Sequence, residues 1–179
     1  MSMEKHYFIT SEFMYMLGHY DRYGKLCTQI IETTRTFLVD MSPIEILDLS
    51  ISAFGFDLRG AIAASKKLLG DIHMCPIKVN PIYQIVLFPT KSLNHQDTIW
   101  FNPDHIERTT SIFRKTAFLL SNGDTLILPA KLSSFNSKLQ TADQYNKMTT
   151  GLPGSHFTLM LDPSKKPVKK NESTRNRRN

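Results

Sequence analysis

Ser42-Pro43-Ile44-Glu45 constrains the fold of this chain more than any other stretch. A serine ahead of a helix can accept the N–H three residues on, and a glutamate at that third position can return a bond to the serine backbone. A proline at the first helical position gives up an N–H that would have no partner there. A helix is therefore predicted from Pro43, with Ile44, Leu47, Leu49, Ile51 and Phe54 on its buried face and Gly55 closing it in a left-handed conformation. From Asp57 to Leu69, Leu58, Ala61, Ile62, Ala64, Ser65, Leu68 and Leu69 recur at spacings of three and four up to Gly70, which predicts a second helix directly after the first.

Strand-type sequence flanks this helical pair. Tyr7 to Ile9 and Phe13 to Leu17 are short aromatic or apolar runs, and Leu26, Thr28 and Ile30 alternate with Lys25, Cys27 and Gln29. Thr36 to Val39 is suited to pairing back on that run as an antiparallel hairpin. Further on, Cys75-Pro76 and Asn80-Pro81 bias the chain toward extended backbone, and Tyr83 to Phe88, closed by Pro89, predicts a central strand. Thr98 to Phe101 and Ile106 to Phe113 are further strand candidates. Phe118 to Leu120 and Thr125 to Leu128 flank Ser121-Asn122-Gly123-Asp124, where Asn-Gly predicts a hairpin. Between Ser133 and Met148, Phe135, Leu139, Ala142 and Tyr145 share one helical side, predicting a docked helix that begins at Ser133 or Ser134. The expected class is α+β: predominantly antiparallel β, with two consecutive helices in the first half and a helix near the C-terminal end.

At 179 residues, with 41% apolar and 21% charged side chains, the chain can bury a core without staples, and wholesale disorder is excluded. One domain is expected over 1–160, followed by a basic, disordered tail over 161–179. That tail holds Lys165, Lys166, Lys169, Lys170, Arg175, Arg177 and Arg178 against Asp162 and Glu172, so nearly all of the net charge of +6 resides there. Such a tail suits a polyanion, and on charge alone nucleic acid, anionic lipid and solubility all remain open. Cys27 and Cys75 fit neither a zinc pattern nor a C-x-x-C motif, and buried reduced thiols are expected. Glu12 interrupts the apolar residues near the N-terminus, leaving Phe13 to Leu17 too short for an export signal, and no apolar run is long enough to span a bilayer. A cytoplasmic protein is expected.

Several segments resemble the ComK competence transcription factors. Lys25-Leu26-Cys27-Thr28-Gln29-Ile30-Ile31-Glu32 looks like that family's K-[IL]-C-x-x-I-I-E strand. Ala53-Phe54-Gly55, Pro76 to Pro81 and Gln84 to Thr90 follow in the family's order. Ile99-Trp100, Leu120 to Thr125 and Leu132 to Phe135 continue the likeness, which spans Gly24 to Tyr145. The resemblance implies a nucleoid-associated activator of DNA-uptake genes. Such a protein binds double-stranded DNA at paired A/T-rich boxes, self-associates to dimers or tetramers and recruits RNA polymerase. Leu159-Met160-Leu161-Asp162-Pro163 weakly resembles the family's F-M-L-Y-P segment, through which a proteolytic adaptor engages. One departure stands out: where the family usually places a basic pair after a glycine, Gly60 here precedes Ala61 and Ile62, and the positive charge is carried by Arg59, Lys66 and Lys67.

Reading A/T pairs through the minor groove requires cations that enter a narrow, strongly negative channel, together with phosphate contacts that set register. Arg59, Lys66 and Lys67 are the candidates in the body; Lys165, Lys166, Lys169, Lys170, Arg175, Arg177 and Arg178 are the candidates in the tail. A plainer alternative is that Lys66 and Lys67 solvate the outer face of their helix and that the tail serves solubility. His73 with Cys75, and Asp104 with His105, lack a third ligand or a nucleophile at suitable spacing, and no glycine-rich phosphate loop occurs. No cofactor, metal, membrane partner or catalytic activity is therefore expected, and Trp100 and Phe88-Pro89 are read as core. A regulator that acts through protein contacts, without direct DNA readout, is the rival interpretation.

Overall fold

The computed structural model describes residues 2–150, so the expected tail over 161–179 and the adaptor-like Leu159–Pro163 segment lie outside the described residues. Four strands come first: β1 (Met3–Glu4), β2 (Phe13–Tyr20), β3 (Leu26–Glu32) and β4 (Thr36–Val39). The two consecutive helices follow, α1 (Pro43–Ser52) and α2 (Leu58–Leu69). Next are β5 (Ile77–Asn80), β6 (Ile85–Pro89), β7 (Ile99–Phe101) and a 3-10 turn at Pro103–His105. The described chain ends with β8 (Ile106–Ile112), β9 (Lys115–Leu120), β10 (Thr125–Leu128) and α3 (Leu132–Thr150). Seven strands form one sheet in the order β1-β4-β3-β2-β7-β6-β5, and β10-β9-β8 form a second. Every pairing is antiparallel except β1 with β4. The class is α+β, as the sequence predicts.

Both faces of the large sheet are covered, which explains why Ile85-Val86-Leu87-Phe88 reads as a continuous apolar run and not as an alternation. Ile85 and Leu87 point to one core with Ile30, Phe37, Val39 and Trp100, under Ile46, Leu47 and Ile51 of α1 and Leu58 of α2. Val86 and Phe88 point to the other, with Ile31, Phe101, Phe118 and Leu120, under Phe135, Ala142 and Tyr145 of α3. A bulge in β2 sets Phe13 opposite Glu32 and Tyr15 opposite Ile31. Met14 and Tyr15 thus both serve the second core while Phe13 and Met16 serve the first.

The capping box on α1 forms as the sequence predicts. Ser42 Oγ accepts from the Glu45 N–H at 3.3 Å, and Glu45 Oε2 accepts from the Ser42 N–H at 2.6 Å. These bonds to the Ser42 backbone and hydroxyl hold the Glu45 carboxyl below its usual range. Asp57 Oδ1 accepts from the Gly60 N–H at 2.5 Å, and Asp48 of α1 accepts from the Leu58 N–H at 3.1 Å, so one helix helps cap the next. Gly55 and Gly70 take φ of +79° and +89° where the two helices end. On α1 the buried residues are Ile46, Leu47, Ser50 and Ile51, while Ile44 and Leu49 are only half-buried, as is Phe54, which lies past the end of the helix. The stripe is rotated from the expected one because α1 packs on β5 as well as on β2. α3 begins one residue before Ser133.

Two strand expectations are corrected. Tyr7 and Ile9 are buried, but Tyr7–Ile9 joins no ladder: the Ile9 N–H donates to Ser50 Oγ at 3.1 Å and the Tyr7 hydroxyl to Glu32 Oε1 at 2.8 Å. Side chains supply the partners that a neighbouring strand would give, and the edge position falls to β1. Glu32, itself buried, also meets Arg35 Nε at 2.5 Å, and the Arg35 guanidinium lies 4.1 Å over the Phe37 ring centroid. Tyr83 and Gln84 fall in a turn, because Asn80 Oδ1 accepts from the Ile82 and Tyr83 N–H groups, both at 3.0 Å, and ends β5 there. Cys27 and Cys75 are buried and unbonded to each other.

Phe135 of α3 contacts Phe88 and Phe101 of the large sheet and Phe118 of the small one, at ring-centroid distances of 5.3, 5.6 and 4.2 Å. Truncating a buried phenylalanine removes its transfer free energy and leaves a cavity, together about 3–5 kcal/mol. Phe135→Ala is expected to lower stability by that amount in urea unfolding. Amide exchange should accelerate first in β8, β9 and β10, which this ring ties to the rest.

Candidate nucleic-acid interface

The three body cations singled out by sequence all lie on α2. Leu58 and Ser65 face inward, and Ala61 and Ile62 pack against the first core, so the helix turns Arg59, Lys66 and Lys67 outward, where all three are exposed. Arg59 and Lys66, seven residues apart, fall on one stripe with an axial separation of about 10 Å, and Lys67 is rotated about 100° from Lys66. Lys66 Nζ is paired with Asp71 Oδ1 at 3.0 Å, and this bond lowers the Asp71 carboxyl below its usual range. Arg59 and Lys67 have no ion-pair partner among the described residues. Lys66 and Lys67 also occupy the last turn, where a helix dipole favours cations without any ligand. Lys165, Lys166, Lys169, Lys170, Arg175, Arg177 and Arg178 lie outside the described residues.

Several other cations of the body serve the fold. Lys25 pairs with Asp40 at 2.5 Å and Arg35 with Glu4 at 2.7 Å. Lys138 donates to the Thr90 carbonyl, and burial lowers its ammonium below the usual lysine range. A second exposed set, missed by the sequence reading, sits on the β8–β9 hairpin and the start of α3: Arg108, Arg114, Lys115 and Lys131. None of these has an ion-pair partner among the described residues. Arg114 and Lys131 line one open groove of about 880 Å³ with Ser111, Pro129, Leu132 and Ser133. The signal available in the sequence was the absence of any Asp or Glu from residue 108 to residue 123.

His73 and Cys75 lie in the connection from α2 to β5, with His73 exposed and Cys75 buried. His105 is structural: its Nε2–H donates to the Ser11 carbonyl at 2.7 Å, and Nδ1 meets the Ser121 hydroxyl at 2.7 Å. Among the described residues no three His, Cys, Asp or Glu side chains gather as metal ligands, and no helix is long and apolar enough to cross a membrane. A groove of about 400 Å³ opens at the α1–α2 joint, lined by Phe56, Asp57, Gly60, Lys78 and Tyr145 among others. Burial there pushes the Lys78 ammonium down to about 8, with Gln84 Oε1 accepting its hydrogen bond. Burial, followed by the nearby Cys75, pushes the Tyr145 hydroxyl up to about 12.

The family model described as ComK protein matches residues 4–151. The Competence transcription factor of Bacillus subtilis (strain 168) is 36% identical over 117 residues, covering 65% of this chain and 61% of that protein's length. No solved structure matches the chain.

Lys78 supplies a pH test of the α1–α2 joint. Below about pH 8 both folded and unfolded chains hold its proton, so the folded state bears the full cost of a half-buried ammonium. Between 8 and the ordinary value of 10.5 the folded chain releases the proton first, so Lys78 contributes stability that rises with pH. Solvent screening limits the gain to ~1 kcal/mol. Thermal unfolding from about pH 7 to 10 should therefore show Lys78→Met losing its stability advantage over the wild type as pH rises.

Proposed function

The chain belongs to the ComK protein family, and from that premise we propose that it is a DNA-binding transcription activator of competence genes. The family match over residues 4–151 carries this reading, and the relative's designation as a competence transcription factor supports it. The chain matches only 61% of that relative's length, so activity and partners are proposed for this protein on its own residues. The recognition proposed is of A/T-rich promoter boxes through the minor groove. Arg59 and Lys67 are free among the described residues to meet phosphates or groove edges, and Lys66 can exchange an exposed aspartate for a phosphate. Lys165, Lys166, Lys169, Lys170, Arg175, Arg177 and Arg178 would add sequence-independent phosphate contacts. Self-association to a dimer or tetramer would let weak contacts act together across paired boxes, and RNA polymerase is the proposed downstream partner. An adaptor contact at Leu159–Pro163 would set the protein's lifetime.

One observation favours a second reading. Gly60 sits in the first turn of α2 donating to the Asp57 cap, and Ala61 and Ile62 pack against the core where the resemblance leads one to expect a basic pair. A regulator joining hetero-oligomers, or occupying an adaptor without touching DNA, would tolerate that change. Gel shifts on an A/T-box promoter separate the two. For direct binding, the triple variant Arg59→Ala, Lys66→Ala and Lys67→Ala is expected to bind at least tenfold more weakly at about 0.1 M salt. The slope of log affinity against log salt should become shallower by about 2–3. A wild-type protein that ignores duplex DNA at low ionic strength would leave the protein-interaction reading in its place.

A further inference from the structure

The β8–β9 hairpin ends in a tip whose side chains are exposed. Ile112 pairs with Lys115, so Phe113 and Arg114 alone reverse the chain. Their φ angles are +43° and +66°, the left-handed values at both central positions that a type I′ turn demands and that Asn-Gly ordinarily fills. A bulky residue with positive φ is a genuine outlier, and such outliers persist where the surroundings over-determine them, often at sites that contact a ligand. Phe113 is 96% exposed, the most exposed large apolar side chain of the described residues, so its ring gains nothing from the core in return for the strain.

The chemistry around the ring selects a partner. Arg114 follows it directly, Lys115 and Arg108 lie on the same ribbon, and Lys131 shares a groove with Arg114. Residues 108–123 contain no acid, and the exposed Thr110 and Ser111 add hydroxyl donors of the kind that bind phosphate. An apolar pocket on a protein would accept the ring but has no general use for this many unpaired cations. A nucleic-acid duplex uses both: the minor groove, about 6 Å wide, admits side chains projecting from a tip while the ribbon itself stays outside, and its narrow A/T segments attract arginine. An apolar wedge between base steps unstacks them and bends the duplex.

We propose that the Phe113-Arg114 tip is a minor-groove wedge, with Phe113 entering a base step and Arg114 in the groove beside it. Arg108, Lys115 and Lys131 would hold the flanking phosphates. The proposal rests on the DNA-binding reading and adds to it the element that enters the groove, separate from α2.

The decisive variant combines Phe113→Asn with Arg114→Gly, which suits the turn better while removing the ring and the guanidinium. The expected result is an unfolding midpoint equal to or a few degrees above that of the wild type, with affinity for an A/T-rich duplex reduced at least tenfold. With 2-aminopurine placed at a TA step of that duplex, wild-type protein should brighten the probe by unstacking it, and the double variant should leave it quenched. Phe113→Trp alone, which keeps an aromatic ring beside Arg114, should retain both binding and brightening.

If the wild type binds and the double variant binds equally with the same 2-aminopurine signal, the wedge is wrong and the DNA-binding reading survives. If the wild type binds no duplex, both fall together. If the double variant loses self-association in DNA-free sedimentation, the ring belongs to a protein contact and the proposal is overturned.

Discussion

Phe135 is the side chain at which three separately built parts of the chain meet. Its ring is held 4.2 Å from Phe118 of the small sheet and 5.3 and 5.6 Å from Phe88 and Phe101 of the large one. Three short strands with one apolar face are at the margin of what holds together in water, and the small sheet gains its stability from the surface it buries here. Aromatic pairs in tilted and edge-on arrangements add about 0.5–1.5 kcal/mol each beyond area burial. β9 carries Phe118 at this anchor and Lys115 at its other end, so the same strand that is fixed in the core also carries the exposed tip.

What the sequence made legible follows from the range of the interactions concerned. The Ser42–Glu45 box and the Gly55 and Gly70 stops each close within three or four residues, so the residues that decide them are adjacent on the page, whereas Asp57 was legible as the start of α2 and not as its cap. β4 and β10 were legible because each returns on the strand just before it. Tyr7–Ile9 was not, because alternation marks an extended segment with one buried side and is silent on whether its N–H groups meet a strand or, as here, Ser50. β1 had no apolar signal, since it is an edge of two residues defined only by its ladder with Leu38 and Val39. The Met14–Tyr15 bulge depends on pairing with β3 and leaves no local mark.

The site was less legible than the fold for a related reason. Net charge adds up along a sequence, whereas the use of each cation is decided by its neighbours in space. Lys25 and Arg35 are taken up by Asp40, Glu4 and Glu32, and Lys78 and Lys138 are half buried. Of the three cations chosen on α2, one has an aspartate beside it. The motifs that carry the family likeness occupy β3, the α1–α2 joint, β5, β6, β7, the β9–β10 turn and the start of α3. They are framework residues, so they identify the architecture strongly and say little about which surface meets a ligand.

The two hairpin turns of the small sheet show how strain separates a framework turn from an exposed one. Between β9 and β10 the left-handed position falls to Gly123 at φ +87°, with Asn122 Oδ1 accepting from the Asp124 N–H at 3.0 Å, so the side chains there suit the backbone. Between β8 and β9 the same handedness is imposed on Phe113 and Arg114, neither of which suits it. Sparsely populated backbone of this kind costs of order 1–3 kcal/mol per residue, a sizeable share of the 5–15 kcal/mol that separates a typical domain from its unfolded state. The turn can keep that conformation because the ladder from Ile106 to Ile112 is registered on a strand pinned at Phe118 and Leu120, which leaves the tip no freedom to relax. A rigid base and an ill-suited tip are together what holds a ring and a guanidinium side by side in water, at the end of a ribbon, before anything has bound them.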